Sequence, residues 1–394
     1  MIYIYLPYVP IAPIGGVQTL FDYAERLNEL AQTTVATIVS PARYIRSILP
    51  RPYPLVSVLH TSPKLTSTDI LLFPEVLLAN INNYPKENKK YLVVLNWKYL
   101  DIAMRNRSAL PDITGIITNC HFTANQINKN YPSVPTIAIP HTIDPLFKEH
   151  IPYKKRPSDS ILLMNRKNTH HIPGILEFLE QSHHQVTLIN NVPPQQLVKQ
   201  YNNHRIFINL GYPEGFCRPA AEAMASGCVV VGFTGGGGSD FMKHRKNCFI
   251  APDGDEKELI RLLHFVLNEA SIEELTDITT QAKDIIRTGY TDETQAWALY
   301  KLFSSQIPVT YTKQSIHALY AHTKKKHKKS GHKPLYTRMG KNALELQLYY
   351  ERQKYKELTS SKFFVLWQKY CSARSGLTKT LASWKERSLE FLKT

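Results

Sequence analysis

Gly211 to Gly238 reads GYPEGFCRPAAEAMASGCVVVGFTGGGG, and the order of its residue types decides how the rest of the chain is read. Glu214 and Glu222 stand eight apart with Gly215 and Pro219 between them, and a helical pattern followed by a β-branched run comes after. Proline is tolerated in the first turn of a helix, where its missing N–H has no intrahelical partner to lose, so Pro219 marks a helix start. The main-chain N–H groups of Phe216, Cys217 and Arg218 then lie at or before that start, where unpaired donors and the helix dipole can receive an anion such as a phosphate. Glu222 falls roughly one turn inside the helix and Glu214 on the loop before it. Two carboxylates can therefore reach opposite ends of one elongated ligand that carries charge in its middle, and a nucleotide sugar has that shape.

Outward from this stretch, short β-rich apolar runs alternate with segments of helical spacing, the signature of βαβ units on a parallel sheet. Buried strands are expected at Ile161–Met164, Val186–Ile189, Ile206–Leu210 and Val229–Phe233, with helices near Pro173–Glu180, Pro194–Tyr201 and Ala220–Ser226. Three more helices, around Glu256–Asn268, Ile272–Ile286 and Glu293–Leu302, close the body. Upstream, strands are expected at Ile2–Leu6, Thr34–Val39, Leu55–Leu59, Ile70–Phe73, Leu92–Leu95, Gly115–Thr118 and Thr136–Ile139. A helix over Val17–Leu30 puts Leu20, Tyr23, Ala24 and Leu27 on one face. Between the two cycles, the segment around His150 to Ser160 is rich in Pro, Ser and charge without periodicity, so it reads as an interdomain linker. The expected fold is α/β, with two Rossmann-like doubly wound domains, 1–150 and 151–305, facing one another across a cleft, and a basic helical C-terminal extension, 306–394. Ligands of such sheets sit at the carboxyl ends of the strands, so the cleft is where chemistry is sought.

Two other stretches reach that cleft. Met164-Asn165-Arg166-Lys167 follows the first strand of the second domain, and Arg166 and Lys167 there can neutralise a diphosphate leaving group as its charge develops. Pro13-Ile14-Gly15-Gly16-Val17 joins the first strand to the first helix, where Gly15 and Gly16 let the backbone come close to a ligand.

The Gly211–Gly238 stretch closely resembles the E-x7-E signature of retaining glycosyltransferases of the GT-B fold, the large fourth family in particular, through EGF, the following Pro, the second Glu and EAMASGCVVVGFTGG. The Gly15-Gly16-Val17 turn and Ile139-Pro140-His141-Thr142-Ile143-Asp144 resemble that family's GGV and IPNGID turns, and together these resemblances cover residues 1 to about 305. The resemblance implies that Glu214 contacts hydroxyls of the transferred sugar and that Glu222 holds the nucleotide ribose. The reacting group is then Glu214, Arg166 and Lys167, and the donor is bound by Gly15, Gly16, Phe216, Cys217, Arg218 and Glu222. The chain departs from the family in four places. Arg166 and Lys167 are adjacent where the family spaces its Arg and Lys further apart, with His171 four residues beyond Lys167. Cys217 stands where a small residue is usual, Asp240 falls at the acidic position after the Gly-rich turn, and Leu95-Asn96-Trp97-Lys98 has no His at the counterpart of a catalytic one. Retention can proceed by a front-face departure in which the leaving phosphate takes the acceptor's proton, so the missing His does not abolish the chemistry.

The activity so implied is retaining transfer of a sugar from a nucleoside diphosphate sugar to a glycan or lipid-linked saccharide, as in surface polysaccharide assembly. No metal and no other cofactor is expected, because basic side chains and helix dipoles do the metal's work. A GT-B enzyme glucosylating DNA bases, an epimerase, a phosphorylase, and a non-catalytic sugar or nucleic-acid binding protein are the competing classes. Asp253-Gly254-Asp255 looks like a metal-binding DxD, but Asp255 as an N-cap with Glu258 three residues on explains it better. His170-His171 and His183-His184 lack the spacing of a helical zinc pair and read as loop histidines.

Composition sets the outer bounds. With 43% hydrophobic and 20% charged residues the chain is globular, and it has no run of about 18 apolar residues to span a membrane. The start, MIYIYLPYVP, lacks the basic flank and cleavage site of a secretory signal and reads as a strand. The five cysteines, Cys120, Cys217, Cys228, Cys248 and Cys371, show no CxxC spacing, which fits a reducing, cytoplasmic setting. Charge is unevenly placed: residues 311–394 hold 19 Lys and Arg against 5 Asp and Glu, whereas residues 1–310 hold 29 against 27. The run TKKKHKKSGHK (323–333) and the segments 342–358 and 363–392, where aromatic and apolar residues interleave with Lys and Arg, suit an interfacial helix on anionic lipid. Packing on the body or a partner, and binding of nucleic-acid phosphates, stay open beside that use.

Overall fold

Parallel strands alternate with helices through a computed structural model that describes residues 1–7, 15–49, 51–105, 107–148, 151–158, 160–190 and 192–329, the side chains of residues 47, 48 and 322–329 excepted. The first sheet has seven parallel strands: β1 (Ile2–Tyr5), β2 (Ala36–Val39), β3 (Ser57–Leu59), β4 (Ile70–Pro74), β5 (Lys89–Val94), β6 (Gly115–Thr118) and β7 (Thr136–Ala138). They stand in the order β3-β2-β1-β4-β5-β6-β7, with Ile2 of β1 paired to Ala36 on one side and Ile70 on the other. The order reverses between β1 and β4, which opens a crevice at their carboxyl ends. Helices α1 (Gly15–Ala31), α2 (Trp97–Met104) and α3 (His121–Asn130) cover this sheet, and α1 buries Leu20, Tyr23, Ala24 and Leu27 as its spacing requires. Strand β5 starts three residues before the expected Leu92. Lys90 joins the ladder buried, with its ammonium reaching the Pro85 carbonyl at 2.9 Å.

The second sheet is also parallel, with β8 (Ile161–Met164), β9 (Val186–Ile189), β10 (Ile206–Asn209), β11 (Val229–Gly232) and β12 (Phe249–Ile250) in the order β12-β11-β10-β8-β9. Its reversal lies between β8 and β10, so the loops leaving those two strands flank one crevice. Helices α4 (Ile172–Gln181), α5 (Pro194–Asn203), α6 (Arg218–Ala225), α7 (Glu256–His264) and α8 (Ile272–Gly289) pack on its faces. One expectation about this sheet fails: β9 is an edge strand rather than a buried one, and its Leu188 is 45% exposed. Strand β12 has two residues, too few for any periodicity to announce it.

Helix α9 (Asp292–Phe303) and the segment after it depart from the expected partition of the chain. Ala296, Leu299 and Phe303 bury in the same core as Leu20, Ala24 and Leu27 of α1, and Ile307, Ile316 and Tyr320 continue that core. An apolar stripe carries no label for the sheet it will cover, so the sequence assigned α9 to the second domain and residues 306–320 to the tail. The structure packs both on the first domain, and Met1–Lys326 forms one compact unit. Helix α10 (Lys313–Lys329) ends inside the basic run. The interfacial segments expected at 342–358 and 363–392 lie outside the described residues, as does Cys371. Among the described residues no helix is long and apolar enough to cross a membrane.

The linker read from Pro, Ser and charge contains a buried cation. Arg156 is 3% exposed and donates to the carbonyls of Ile151 at 3.0 Å, Tyr201 at 2.9 Å and His204 at 2.8 Å, and to that of Ser226. These bonds staple the linker to the ends of α5 and α6. Replacing Arg156 by Ala takes this donor from four carbonyls, of which those of Tyr201 and His204 keep only the Cys228 thiol, and should lower stability by about 2–4 kcal/mol in urea titration of the full chain. A midpoint unchanged from wild type would remove the staple from the account.

Candidate functional site

Glu214 lies on the loop between β10 and α6, and hydrogen bonds fix that loop on both sides. Its N–H donates to Gly235 O at 2.7 Å and its carbonyl accepts from Gly237 N–H at 3.0 Å, which zips the loop to the glycine turn after β11. The Asp253 carboxylate accepts from Gly235 N–H at 3.0 Å, and Gly235 and Gly236 sit at φ +63° and +87°, where side chains are disfavoured. The tetraglycine is thus an ordered turn rather than a flexible loop. Asp255 caps α7 by accepting from Glu258 N–H at 3.0 Å. Among the described residues no three His, Cys, Asp or Glu side chains converge as a metal set.

Three residues from two strand ends meet at Glu214. Lys167 approaches its Oε1 at 2.8 Å and Arg166 at 3.3 Å, and Lys167 also donates to the Pro213 carbonyl at 3.2 Å. Both cations follow β8, and Glu214 follows β10, so the reversal of strand order brings the three together. Lys167 rather than His171 supplies the second charge. The His171 ring instead lies between Glu256 Oε2 at 2.8 Å and the Tyr212 hydroxyl at 2.9 Å.

The second carboxylate sits deeper. Glu222 accepts from Arg218 Nε at 2.9 Å within α6, and burial pushes its carboxyl above the usual range against the pull of Arg218. Cys217, the N-cap of α6, adopts φ 62° and ψ 54°. Its thiol is buried, bonded by Asn209 Nδ2 at 3.0 Å, and pushed up to about 12 by burial, with Glu214 adding to the shift. The Phe216 ring is also turned inward, against His141, Phe241 and Tyr290. What Phe216 and Cys217 can offer a ligand is therefore main-chain N–H, as their place before the helix implies.

The first domain meets this loop at Gly215. A Cβ on Gly215 would overlap the Leu95 carbonyl oxygen, so the two backbones touch with no space for a side chain. The Gly215 carbonyl is taken up by the Cys120 thiol at 2.8 Å and the Thr123 hydroxyl at 3.3 Å. Asp240, after the glycine turn, accepts from His121 N–H at 2.6 Å and Phe122 N–H at 3.0 Å, capping α3 across the cleft. Gly16 packs on Leu95, whereas no described residue beyond its chain neighbours lies within 4 Å of the Cβ position of Gly15.

Behind that contact runs a chain of neutral hydrogen bonds. Asn119 Nδ2 donates to Leu95 O at 2.8 Å and pairs with His141 Nε2 at 3.2 Å, and His141 Nδ1 pairs with Thr19 Oγ1 at 3.3 Å. An amide nitrogen only donates, so Nε2 accepts and Nδ1 carries the proton. Thr19 passes its own hydrogen to Gly15 O at 2.9 Å, so His141 links the glycine turn of α1 to the seat of Gly215. Burial drives this imidazole down to about 3, with Arg218 adding to the shift.

Glu75 is the group that sequence reasoning passed over. It follows β4, is 4% exposed, and reaches Leu95 N–H at 3.4 Å beneath the turn that bears Gly215. A lone Glu after a strand carries no signal; a buried carboxyl without a facing cation among the described residues shows only in three dimensions. Burial pushes it up to about 7, with backbone N–H groups of Leu95 and Asn96 opposing.

Two outcomes test this geometry. Gly215→Ala should keep its secondary structure but force the domains apart, seen as a larger radius of gyration in small-angle scattering; an unchanged radius would contradict the contact. For Glu75, the folded state favours the proton, so its stabilising share is full below about 4.5 and is lost as pH rises through about 7. The melting temperature of Glu75→Gln should therefore gain on wild type across that window and level off above it. A difference flat with pH would reject the assignment.

Residues 179–285 match the family described as glycosyl transferases group 1, a span that contains Glu214 and Glu222 but begins after Arg166 and Lys167. Among curated proteins none matches the chain. The sucrose-phosphate synthase of Thermosynechococcus elongatus is similar, with TM-score 0.58 and 11% identity over 77% of this chain and 98% of that one. HepE of Anabaena, solved with UDP and glucose, is similar with TM-score 0.57 and 15% identity over 77% of this chain and 100% of that one. A TarM variant of S. aureus, solved with UDP, gives TM-score 0.50 and 15% identity over 61% of this chain, which spans only 56% of it. At such identities the likeness is one of fold, and the fold is GT-B. With its two parallel sheets and that matched segment, the chain has the GT-B fold, and its residues 179–285 match the glycosyl transferases group 1 family.

Proposed function

We propose that the protein transfers a sugar, with retention, from a nucleoside diphosphate sugar to a glycan or lipid-linked saccharide. One observation carries the reading: Glu214, 15% exposed at its side chain, is held by Arg166 and Lys167 where the loops after β8 and β10 converge. A carboxylate accepts hydrogen bonds from sugar hydroxyls, and two cations beside it neutralise the diphosphate to which the sugar is attached. Glu222, one turn into α6, suits the two hydroxyls of a ribose. HepE, whose fold this chain shares, was solved with UDP and glucose, which supports a donor of this class.

The reaction needs one bond broken and one made. The bond from the anomeric carbon to the diphosphate oxygen breaks, Arg166 and Lys167 stabilise the charge left on that oxygen, and the acceptor hydroxyl attacks from the same face. Its proton passes to the departing phosphate oxygen, so no protein base is required. Glu214 holds the sugar in register by its hydroxyls while the anomeric carbon carries positive charge.

Calorimetric titration with UDP, GDP, ADP and CMP should find one nucleotide bound. Glu222→Gln, which leaves Arg218 a hydrogen-bond acceptor, should weaken that binding about tenfold or more. Glu214→Ala and Arg166→Ala should each cut transfer by about a hundredfold or more with little change in melting temperature. Near-normal turnover in either variant, or no nucleotide bound by the wild type, would overturn the proposal.

A further inference from the structure

Glu214 can act on a sugar hydroxyl only if its own loop is held still, and the turn that supplies its cations also supplies the grip. Residues 210–214 are bonded at successive places by residues 167–171. Asn168 donates both hydrogens of its amide, to Leu210 O at 2.7 Å and to Tyr212 O at 2.7 Å. It does so from φ 52° and ψ 41°, a left-handed conformation that Asn tolerates better than most residues. Next along the loop, Lys167 donates to Pro213 O at 3.2 Å and pairs with the Glu214 carboxylate at 2.8 Å.

His171 completes the set from the far side. It is 4% exposed, and its ring bridges Glu256 Oε2 at 2.8 Å and the Tyr212 hydroxyl at 2.9 Å. A carboxylate accepts, so Nδ1 carries hydrogen towards Glu256, and Nε2 pairs with the Tyr212 hydroxyl. Glu256 reaches this position because α4 has Gly174 opposite it, where a Cβ would overlap its carboxylate. The Tyr212 ring is held edge-on to Phe233 at 5.2 Å. Tyr212 is two residues from Glu214, so a restraint on its hydroxyl is a restraint on the loop that carries the carboxylate.

We propose that Asn168 and His171 are positioning residues for Glu214, the first through two main-chain carbonyls of its loop and the second through the Tyr212 hydroxyl. Neither touches the donor; both set where the carboxylate meets the sugar. The catalytic part of this inference rests on the reading of Glu214 given above, while the geometric part does not.

The test uses two small deletions in the full chain. Tyr212→Phe removes one hydroxyl, and Asn168→Gly removes the amide while keeping a residue at ease at positive φ. Lysines are reductively methylated with 13C, and the Lys167 signal is identified by its loss in Lys167→Arg and by its shift in Glu214→Gln. Both variants should move the Lys167 signal towards its Glu214→Gln position without any ligand present. They should also lower turnover of the wild type's sugar nucleotide about tenfold, while leaving affinity for the free nucleotide within about twofold. A purely structural role would lower nucleotide affinity and turnover in parallel. An unmoved Lys167 signal in both variants overturns the proposal, as does a moved signal with full turnover. If the wild type binds no nucleotide, the transferase reading fails by itself, and the Lys167 signal still decides whether Asn168 and His171 place Glu214.

Discussion

Backbone contact between Gly215 and the Leu95–Asn96 turn is the constraint on which the site depends. A side chain at Gly215 cannot be accommodated, so the carboxyl edges of the two sheets meet main chain to main chain at one point. A peptide group buried in that way must find partners, because an unmet carbonyl costs on the order of 1–3 kcal/mol. The partners come from the first domain: the Cys120 thiol and the Thr123 hydroxyl take the Gly215 carbonyl, and Asn119 takes that of Leu95. Asp240 then satisfies two N–H groups at the start of α3, a place where a negative charge is favoured by the helix dipole. Each of these groups follows a strand of one sheet or the glycine turn of the other, so closing the contact and assembling the crevice are one event.

This constraint explains why some of the molecule was legible in its sequence and some was not. Alternation of apolar runs and helical stretches depends on neighbours in the chain, so both parallel sheets could be read, and Glu214, Arg166 and Lys167 could be placed at strand ends. Asp255 as a cap was legible for the same reason, since its partner is Glu258 three residues away. Glu75, Asn119 and Arg156 were not, nor was the capping of α3 by Asp240, because each acts on residues distant in sequence: Arg156 bonds carbonyls 45 and 48 positions on, and Asp240 bonds amides 118 and 119 positions back. The charge of Arg156 made its segment look like a solvated linker. Helix α9 was misplaced because its stripe of Ala296, Leu299 and Phe303 suits either core, and the choice is made by the surface of α1.

The two carboxylates of the Gly211–Gly238 stretch are held in different ways, and magnitudes separate their duties. Glu214 faces Arg166 and Lys167, whose side chains are 51% and 31% exposed, and pairs of that exposure contribute about 0–1 kcal/mol. In the proposed reaction a diphosphate with greater charge would take those cations from Glu214 at little cost and free the carboxylate for hydroxyls. The Glu222–Arg218 pair is 10% and 22% exposed, and separating a largely buried pair costs about 3–5 kcal/mol. In the proposed reaction a ligand would therefore meet Glu222 already oriented by Arg218 and add hydrogen bonds to it rather than replace its partner. The exposed charges suit a group that departs in the reaction, and the buried pair suits a part of the ligand that stays unchanged. In the proposed reaction Asn168 and His171 act between these two regimes: their hydrogen bonds to Leu210 O, Tyr212 O and the Tyr212 hydroxyl fix the loop, so the Glu214 carboxylate would keep its place when its cations turn to the phosphates.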